Sequence, residues 1–205
     1  MVSQQGERIA AEDLYGATFS EILIRRFGGT GYMILDATQW KKIKSQVKEQ
    51  AGVMKPLTDY ILYWAHKKAT SLNALAKKTG IPSNDLARTI AAYNDAIASG
   101  QEDPVKKSND YRSPILQAPF YSVDFSVKVT GVRLVPAFTL GGLRVDGNTG
   151  LLQNNGGGLI PGLYAAGRNA VGLCSNSYVS GLSLADCVFS GKRAGEHAAT
   201  SVERS

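Results

Sequence analysis

The stretch Ile160-Pro-Gly-Leu-Tyr-Ala-Ala-Gly-Arg-Asn169 decides the fold of the last third of the chain. Its Pro161-Gly162 turn is followed by a short apolar run that ends at Gly167. An apolar run bounded by turn residues predicts a buried strand. In open α/β sheets ligands lie beyond the carboxyl ends of the strands, and a glycine there lets a ligand approach the backbone. Taken alone, this segment favours an ordinary strand-end turn, and a binding edge at 165–169 is the alternative interpretation.

The next informative stretch, Ser180-Gly-Leu-Ser-Leu-Ala185, predicts a glycine turn that leads into a helix of small residues ending near Thr200. The free N–H groups at the start of a helix favour an anion or a carbonyl oxygen. The alternative is an ordinary helix capped by Ser180 or Ser183. Tyr178 stands two residues before Ser180, so in an extended segment both hydroxyls project to the same side. Two exposed loop hydroxyls are the alternative interpretation.

Upstream of about residue 130 helical signals dominate. Apolar periodicity, capping residues and closing glycines predict five helices, at 13–27, 38–50, 59–68, 71–78 and 82–98. Strands are predicted at 32–36, 120–129 and 138–146, the last one broken by Gly141-Gly142, and a long surface loop is predicted at 99–119. The helices thus come first and most of the strands follow.

Composition limits the classes of protein. The chain has 205 residues, a formal charge of +6 and 43% hydrophobic residues, which excludes a disordered chain. Two cysteines cannot support a disulfide-built fold, and no apolar stretch is long enough to span a bilayer. The lysines and arginines are spread in short pairs, so we expect no nucleic-acid partner. We also expect no metal site. The start of the chain has no secretory signal, and we expect a cytoplasmic protein.

Several ordered segments carry a family resemblance. They are similar to the carboxyl-terminal part of flavoproteins of the fumarate reductase/3-ketosteroid dehydrogenase superfamily. The segments are Gly6-Glu-Arg-Ile-Ala-Ala-Glu-Asp13, Ser71-Leu-Asn-Ala-Leu-Ala76, Ala118-Pro-Phe-Tyr121, Phe138-Thr-Leu-Gly-Gly-Leu-Arg-Val-Asp146, Ile160–Gly167 and Ser180–Asp186.

The resemblance implies an α+β fold in two parts. Residues 1–133 would form a portion of a helical cap, or substrate, domain. Residues 134–205 would form the last strands and helix of a Rossmann-like FAD domain. No G-x-G-x-x-G dinucleotide fingerprint occurs in the sequence, and that motif holds the FAD pyrophosphate at a helix start.

Within the superfamily the chain most resembles the 3-ketosteroid Δ4-(5α)-dehydrogenases. Those enzymes are thought to use two tyrosines and a serine, which Tyr178, Ser180 and Tyr32 match. The implied reaction removes a proton next to the ketone of a small apolar substrate such as a steroid and transfers a hydride to FAD. The implied substrate contacts are Phe138 and Thr139, and the implied FAD contacts are Gly167, Arg168, Asn169, Gly181, Ser183 and Leu184.

A dicarboxylate-reducing, fumarate reductase-like enzyme is the alternative within the superfamily. Those relatives place a histidine in a His-Thr-x-Gly-Gly motif where this chain has Phe138, and Arg168 stands where they commonly have a glutamate. The two histidines, His66 and His197, fall on predicted helices. An apolar phenylalanine and paired tyrosines suit a neutral ketone better than a dianion.

The missing fingerprint also bears on what the chain does alone. We expect a fragment that needs an amino-terminal half of the FAD domain, in cis or in trans, and that is inactive by itself. A non-catalytic remnant, a subunit of a split flavoenzyme and a small-molecule binding module remain alternatives.

Overall fold

The computed structural model describes residues 1–50, 52, 55–127, 140–173 and 178–202. The chain divides into two compact units, Met1–Pro136 and Ala137–Ser205, and each is described by itself. Helices and strands are mixed in both units, which confirms the mixed α/β character expected from the sequence.

The described residues of the first unit form five α-helices and a three-stranded antiparallel sheet. The strands are β1 (Tyr32–Leu35), β2 (His66–Ala69) and β3 (Phe120–Asp124), in the order β1-β3-β2. The helices are α1 (Gly16–Phe27), α2 (Ala37–Gln50), α3 (Lys55–Tyr63), α4 (Leu72–Thr79) and α5 (Ser83–Ala98), and a short 3-10 helix covers Asn109–Tyr111.

Local capping signals set the ends of the helices. The Ser71 side chain caps α4 by accepting the Ala74 N–H at 3.1 Å, and Gly80 closes the helix with φ of 79°. At α2, Asp36 Oδ1 accepts the Gln39 N–H at 2.9 Å while Gln39 Oε1 accepts the Asp36 N–H at 3.1 Å. These reciprocal bonds satisfy two otherwise free donors.

Two apolar clusters cover the two faces of the sheet. Leu75 and Leu86, both fully buried, pack with residues of β1 and β3 in the larger cluster. In the second cluster Trp40 stacks on Tyr121, with ring centroids 4.4 Å apart. Burial of such side chains is the main stabilising contribution to this unit.

The sequence prediction fails at 66–68, which was assigned to a helix. His66 to Lys68 lie in β2, where His66 pairs with Val123. Main-chain pairing with a strand distant in sequence overrides the local helical preference. Strand β3 also ends at Asp124, earlier than the predicted Val129.

The second unit contains a two-stranded antiparallel sheet and a long helix. They are β4 (Leu151–Gln153), β5 (Leu159–Tyr164) and α6 (Leu182–Val202), and a 3-10 turn covers Gly167–Asn169. The described part of the predicted strand at 138–146 makes only isolated bridges, from Leu143 to Ala170 and from Val145 to Leu152.

The run after the Pro161-Gly162 turn is predicted to be a buried strand. In the structure Pro161 and Gly162 lie inside β5, and the run is only partly buried: Ala165 is buried, whereas Leu163 is 48% exposed. The reason is that β5 pairs with β4 alone, and no second layer covers the hairpin in the described part of the chain.

Two features are absent from the described residues. No helix among them is long and apolar enough to cross a membrane. They also contain no group of three or more histidine, cysteine or acidic side chains that could hold a metal ion.

Candidate functional site

The turn at Gly167 is fixed to helix α6 by a side chain. The Gly167 N–H donates to Ser190 Oγ at 2.8 Å, and Ser190 Oγ donates to the Asp186 carbonyl at 2.5 Å. Gly167 has φ of 57°, and a Cβ there would lie 3.0 Å from Cys187 Sγ. Glycine is therefore required at the end of β5 for both conformation and space.

A second glycine segment runs beside this turn. The Leu143 N–H donates to the Asn169 carbonyl at 2.8 Å, and the Val171 N–H donates to the Leu143 carbonyl at 2.9 Å. A Cβ on Gly142 would lie 2.7 Å from the Ala170 carbonyl carbon. The backbones at Gly142 and Ala170 are therefore so close that only glycine fits at position 142.

These segments and the start of α6 line a small groove. Its volume is about 20 Å³, and it adjoins a cavity of about 170 Å³. The residues that line the groove are Leu140, Gly141, Gly167, Arg168, Ala170, Gly172, Ser183 and Asp186. Ser183 Oγ is buried and makes no hydrogen bond within the described part of the chain, so a donor and acceptor is left for a ligand.

Neither of the two serines considered as a cap occupies the N-cap position of α6. The helix begins at Leu182, so the N-cap position is Gly181, with φ of 85°. Ser183 already lies inside the helix and is not the cap. Tyr178 and Ser180 precede the helix; Tyr178 is half-buried and Ser180 is exposed.

Tyr32 lies in the first unit, on β1. Its backbone pairs with Val2, and its hydroxyl donates to Gln4 Oε1 at 2.7 Å. Its side chain belongs to the larger apolar cluster. Burial, helped by the Asp124 carboxylate, raises the pKa of the Tyr32 phenol.

Some of the predicted site residues come together and others do not. Gly167, Arg168 and Ser183 line one groove, whereas the Asn169 carbonyl accepts the Leu143 N–H. Gly181 and Leu184 are exposed at the start of α6. Phe138 and Thr139 lie outside the described residues.

The sequence reasoning missed three residues that hold these elements in place. They are Gln4 and Ser190, which bond to residues distant in sequence, and Asp186, whose carbonyl accepts the Ser190 hydroxyl one helical turn away. A buried serine four residues after a buried aspartate on one helix face was the available signal for the last two.

Comparison with known proteins gives the family. A family model described as an FAD binding domain matches residues 1–183. The chain belongs to this family of flavin-dependent oxidoreductases. The resemblance noted in the sequence is thereby confirmed, and FAD is the cofactor of the FAD binding domain family.

Two curated relatives and one solved structure are informative. A vinyl phenol reductase of Lactiplantibacillus plantarum is 31% identical over 84% of this chain and 32% of its own length. A 3-oxo-5-alpha-steroid 4-dehydrogenase of Comamonas testosteroni is 30% identical over 82% of this chain and 32% of its own. The structure is a 3-ketosteroid-delta4-(5alpha)-dehydrogenase of Rhodococcus jostii RHA1, solved with 4-androstene-3,17-dione. It is 29% identical with a TM-score of 0.73 and matches 97% of this chain and 38% of that one.

Relatives named for other substrates match this chain with similar identity. Proteins named as an acrylate oxidoreductase and as a fumarate reductase match at 30% and 26% identity. The chain spans about a third of the length of the vinyl phenol reductase and of the steroid dehydrogenase, and 18% of the length of the acrylate oxidoreductase.

The lining of the groove at the start of α6 is chemically compatible with a polar group such as those of FAD. The unpartnered Ser183 hydroxyl and the glycine backbones around it suit a polar, extended ligand that must approach the main chain. Gly167, Arg168 and Ser183 are the residues that would hold it here.

Proposed function

We propose that this chain is the cap and flavin-facing part of an FAD-dependent dehydrogenase that desaturates a 3-ketosteroid-like apolar ketone. The observation that carries the proposal is the likeness to the Rhodococcus jostii dehydrogenase, which extends over 97% of the chain at 29% identity. The Tyr-x-Ser spacing of Tyr178 and Ser180 immediately before α6 supports the same assignment.

In this proposal Tyr178 binds the keto oxygen. A phenol that donates a hydrogen bond to a carbonyl oxygen stabilises the negative charge that develops there when the neighbouring carbon loses a proton. Ser180, two residues on, takes that proton and passes it to Tyr32. FAD, when bound, supplies the acceptor for the hydride that leaves the adjacent carbon.

The environment of Tyr32 constrains its part in this scheme. The raised pKa keeps its phenol protonated at neutral pH, and its proton is directed to Gln4 Oε1. Tyr32 can therefore accept a proton only while it gives up its own, and because the Gln4 amide oxygen is not a base, that proton has to continue to solvent water. We assign it a relay role and not that of a free base.

The FAD contacts in the proposal are Gly167, Arg168 and Asn169 after β5, and Gly181, Ser183 and Leu184 at the start of α6. The buried, unpartnered Ser183 hydroxyl supports this assignment most directly. The substrate contacts Phe138 and Thr139 complete the proposed site. The boundary between the cap and the FAD-domain portion, near 133/134, belongs to the same proposal.

A second candidate is a reductase of an activated C=C bond. The relative named for vinyl phenol reduction is 31% identical, about as similar as the relative named for steroids. Reduction and desaturation run the same hydride and proton transfers in opposite directions, so one set of side chains serves both. A dicarboxylate substrate would add the need for cationic partners.

The test uses the protein that contains this chain, purified with the remaining part of the flavoprotein fold. A flavin absorbance spectrum establishes the cofactor first. A 5α-reduced 3-ketosteroid with an artificial electron acceptor is then compared with fumarate and a vinyl phenol, each offered with a reduced viologen. Steroid oxidation is the expected activity.

Each of the other outcomes identifies an alternative. Reduction of fumarate or of the vinyl phenol without steroid oxidation contradicts the proposed substrate and supports the second candidate. Steroid binding without bound flavin supports a binding module, and the absence of flavin, binding and turnover supports a non-catalytic remnant.

A further inference from the structure

One region of the first unit carries lysines with no acidic residue among them. Residues 60–82 contain four lysines, at 67, 68, 77 and 78, and no aspartate, glutamate or arginine. Residues 37–44, the first eight of α2, contain three more lysines and again no acidic residue or arginine. In the structure these segments form part of α2, the end of α3, strand β2 and helix α4. The segments themselves therefore supply no carboxylate that could neutralise their lysines.

The lysines of β2 and α4 are held close together. Lys67 Nζ donates to the Lys78 carbonyl at 2.5 Å, and Lys78 Nζ donates to the Lys68 carbonyl at 2.7 Å. None of these three lysines forms an ion pair within the described part of the chain, whereas Lys55 on α3 pairs with Asp59. Neighbouring ammonium groups without a counter-ion repel one another, so an anionic partner would stabilise them.

Two exposed aromatic side chains lie beside these lysines. Tyr63 and Trp64, at the end of α3, are 62% and 81% exposed, although Leu62 just before them is buried. Lys44 of α2 lies over the Tyr63 ring, 5.2 Å from its centroid, and Trp64 is only three residues before Lys67. A large aromatic surface left in water among cations is typical of an interaction site.

Protection of a strand edge explains only part of this surface. Strand β2 lies at one end of the order β1-β3-β2, and lysines on an edge strand prevent its pairing with another chain. Lys67 and Lys68 would meet that need by themselves. The positive charge continues onto α2 and α4, which offer no strand edge, and the exposed indole of Trp64 gives no such protection.

We propose that this surface binds a bilayer that contains anionic phospholipids. We call it the edge patch, and it is formed by Lys44, Tyr63, Trp64, Lys67, Lys68 and Lys78. An anionic lipid surface attracts lysines without requiring a fixed geometry. Tryptophan and tyrosine side chains favour the boundary between head groups and acyl chains. This binding needs neither flavin nor steroid, so it is independent of the proposed function.

The residue types of the edge patch favour a lipid surface over a macromolecular partner. The planar fork of arginine is the usual group for nucleic-acid phosphates, and protein interfaces are enriched in arginine and depleted in lysine. The cations of the edge patch are all lysines, although the first unit has exposed arginines elsewhere, such as Arg25 and Arg26 on α1. A point charge on a flexible stem suits a fluid layer of head groups.

The test measures binding of the protein that contains this chain to sedimented vesicles. The vesicles consist of equal parts of phosphatidylcholine and phosphatidylserine, and vesicles of phosphatidylcholine alone are the reference. We expect binding to the mixed vesicles only. Binding should weaken as salt is added, because ions screen exposed charges.

The double variant Lys67→Gln/Lys68→Gln tests the cationic part of the edge patch. It should weaken binding to the mixed vesicles at least about tenfold, since each lysine near an anionic membrane contributes about fivefold. The matched control, Arg25→Gln/Arg26→Gln, removes two exposed charges from another part of the same unit and should bind as the parent does. Circular dichroism and the unfolding midpoint establish that both variants are folded.

The variant Trp64→Ser tests the aromatic part. It should weaken binding at least about fivefold, because the apolar area of the indole is no longer buried in lipid. Vesicles should shift the tryptophan emission of the parent to shorter wavelength, and Trp64→Ser should lose this shift because Trp40 is already buried. Tyr111→Ser, at a tyrosine that is 67% exposed, is the matched control.

Several results would overturn the proposal. They are the absence of binding to the mixed vesicles, equal binding to phosphatidylcholine alone, and equal weakening by the lysine and arginine double variants. Unchanged binding and emission shift in Trp64→Ser would contradict it as well. A short DNA duplex that binds more tightly than the vesicles at the same salt concentration, and loses affinity in Lys67→Gln/Lys68→Gln, would make a nucleic acid the partner. Because none of these measurements needs turnover, a protein inactive on steroids would leave the edge patch standing and contradict only the proposed function.

Discussion

Ser190 holds Gly167 against helix α6. Its hydroxyl accepts the Gly167 N–H at 2.8 Å and donates to the Asp186 carbonyl at 2.5 Å, and all three groups lie in buried residues. The one hydroxyl thus satisfies an amide that the left-handed turn leaves without a main-chain partner. The position of the proposed flavin contacts at 167–169 depends on this bond.

Replacing Ser190 by alanine should lower the free energy of unfolding by about 1–3 kcal/mol, because the buried Gly167 amide loses its acceptor. Urea denaturation measures the loss, and hydrogen exchange at the Gly167 amide should become faster. Thr200→Ala is the control, since this exposed hydroxyl bonds only to carbonyls of its own helix. Equal losses in the two variants would contradict the role given to Ser190.

Gly141 and Gly142 are adjacent glycines, and substitution of the first serves as the control for substitution of the second. Alanine at Gly142 would place its methyl group 2.7–2.8 Å from backbone atoms of Asn169 and Ala170, whereas alanine at Gly141 meets open space. We expect Gly142→Ala to cost about 1–3 kcal/mol of unfolding free energy and Gly141→Ala to change it by less than about 0.5 kcal/mol. Thermal and urea unfolding of both variants check this, and a tolerated Gly142→Ala would show that the two segments lie farther apart.

The carboxyl of Glu12 makes the free energy of unfolding of the first unit depend on pH. Burial alone would raise the pKa of its carboxyl, but the Met1 ammonium, Arg8 and Lys107 outweigh burial and lower it to about 2. Between that value and the unfolded pKa of about 4.3, the unfolded chain binds more protons, so stability falls as the pH falls. The contribution is complete above about pH 5 and amounts to at most about 3 kcal/mol, since each pKa unit is worth about 1.4 kcal/mol.

The variant Glu12→Gln should remove this part of the pH dependence. Its urea midpoint should be lower than the parent's at pH 7 and should change less between pH 5 and pH 2. Glu7→Gln, at an exposed position, should follow the parent. A Glu12→Gln curve that runs parallel to the parent's would mean that the carboxyl is not held by these cations.

Tyr178 is the residue on which the proposed chemistry depends most. In the protein that contains this chain, Tyr178→Phe should lower turnover of a 3-ketosteroid by roughly a hundredfold or more, because the developing oxyanion loses a hydrogen bond. Steroid binding should persist because the ring remains. Tyr111→Phe, at an exposed tyrosine of the first unit, is the control for steady-state kinetics, and unchanged turnover in Tyr178→Phe would remove Tyr178 from the mechanism.

Features encoded by neighbouring residues were predictable from the sequence. Three helix ends are set by residues that bond within four positions along the chain: Ser71, Gly80 and the capping Asp36. The ends of these helices were predicted to within a few residues. The exception, His66–Lys68, forms a strand only because β3 pairs with it from more than fifty residues away. No local pattern records such a partner.

In the candidate site, too, features set by neighbouring residues were predictable and features set by distant residues were not. Its glycines were visible in the sequence because turns and close approaches select glycine. Ser190 and Gln4 were missed because each bonds to a group more than twenty residues away. The exposure of β5 was missed for a different reason, since an apolar run indicates that a strand can be buried but not which part of a protein buries it.

The order of the strands β1-β3-β2 has a consequence for synthesis of the protein. The central strand is the last of the three in the chain, and Tyr32 pairs with Asp124. On the ribosome the two outer strands are made first and have no place in the sheet until residue 124 has emerged. Contacts so distant in sequence form slowly, so the nascent first unit holds its helices before it holds its sheet.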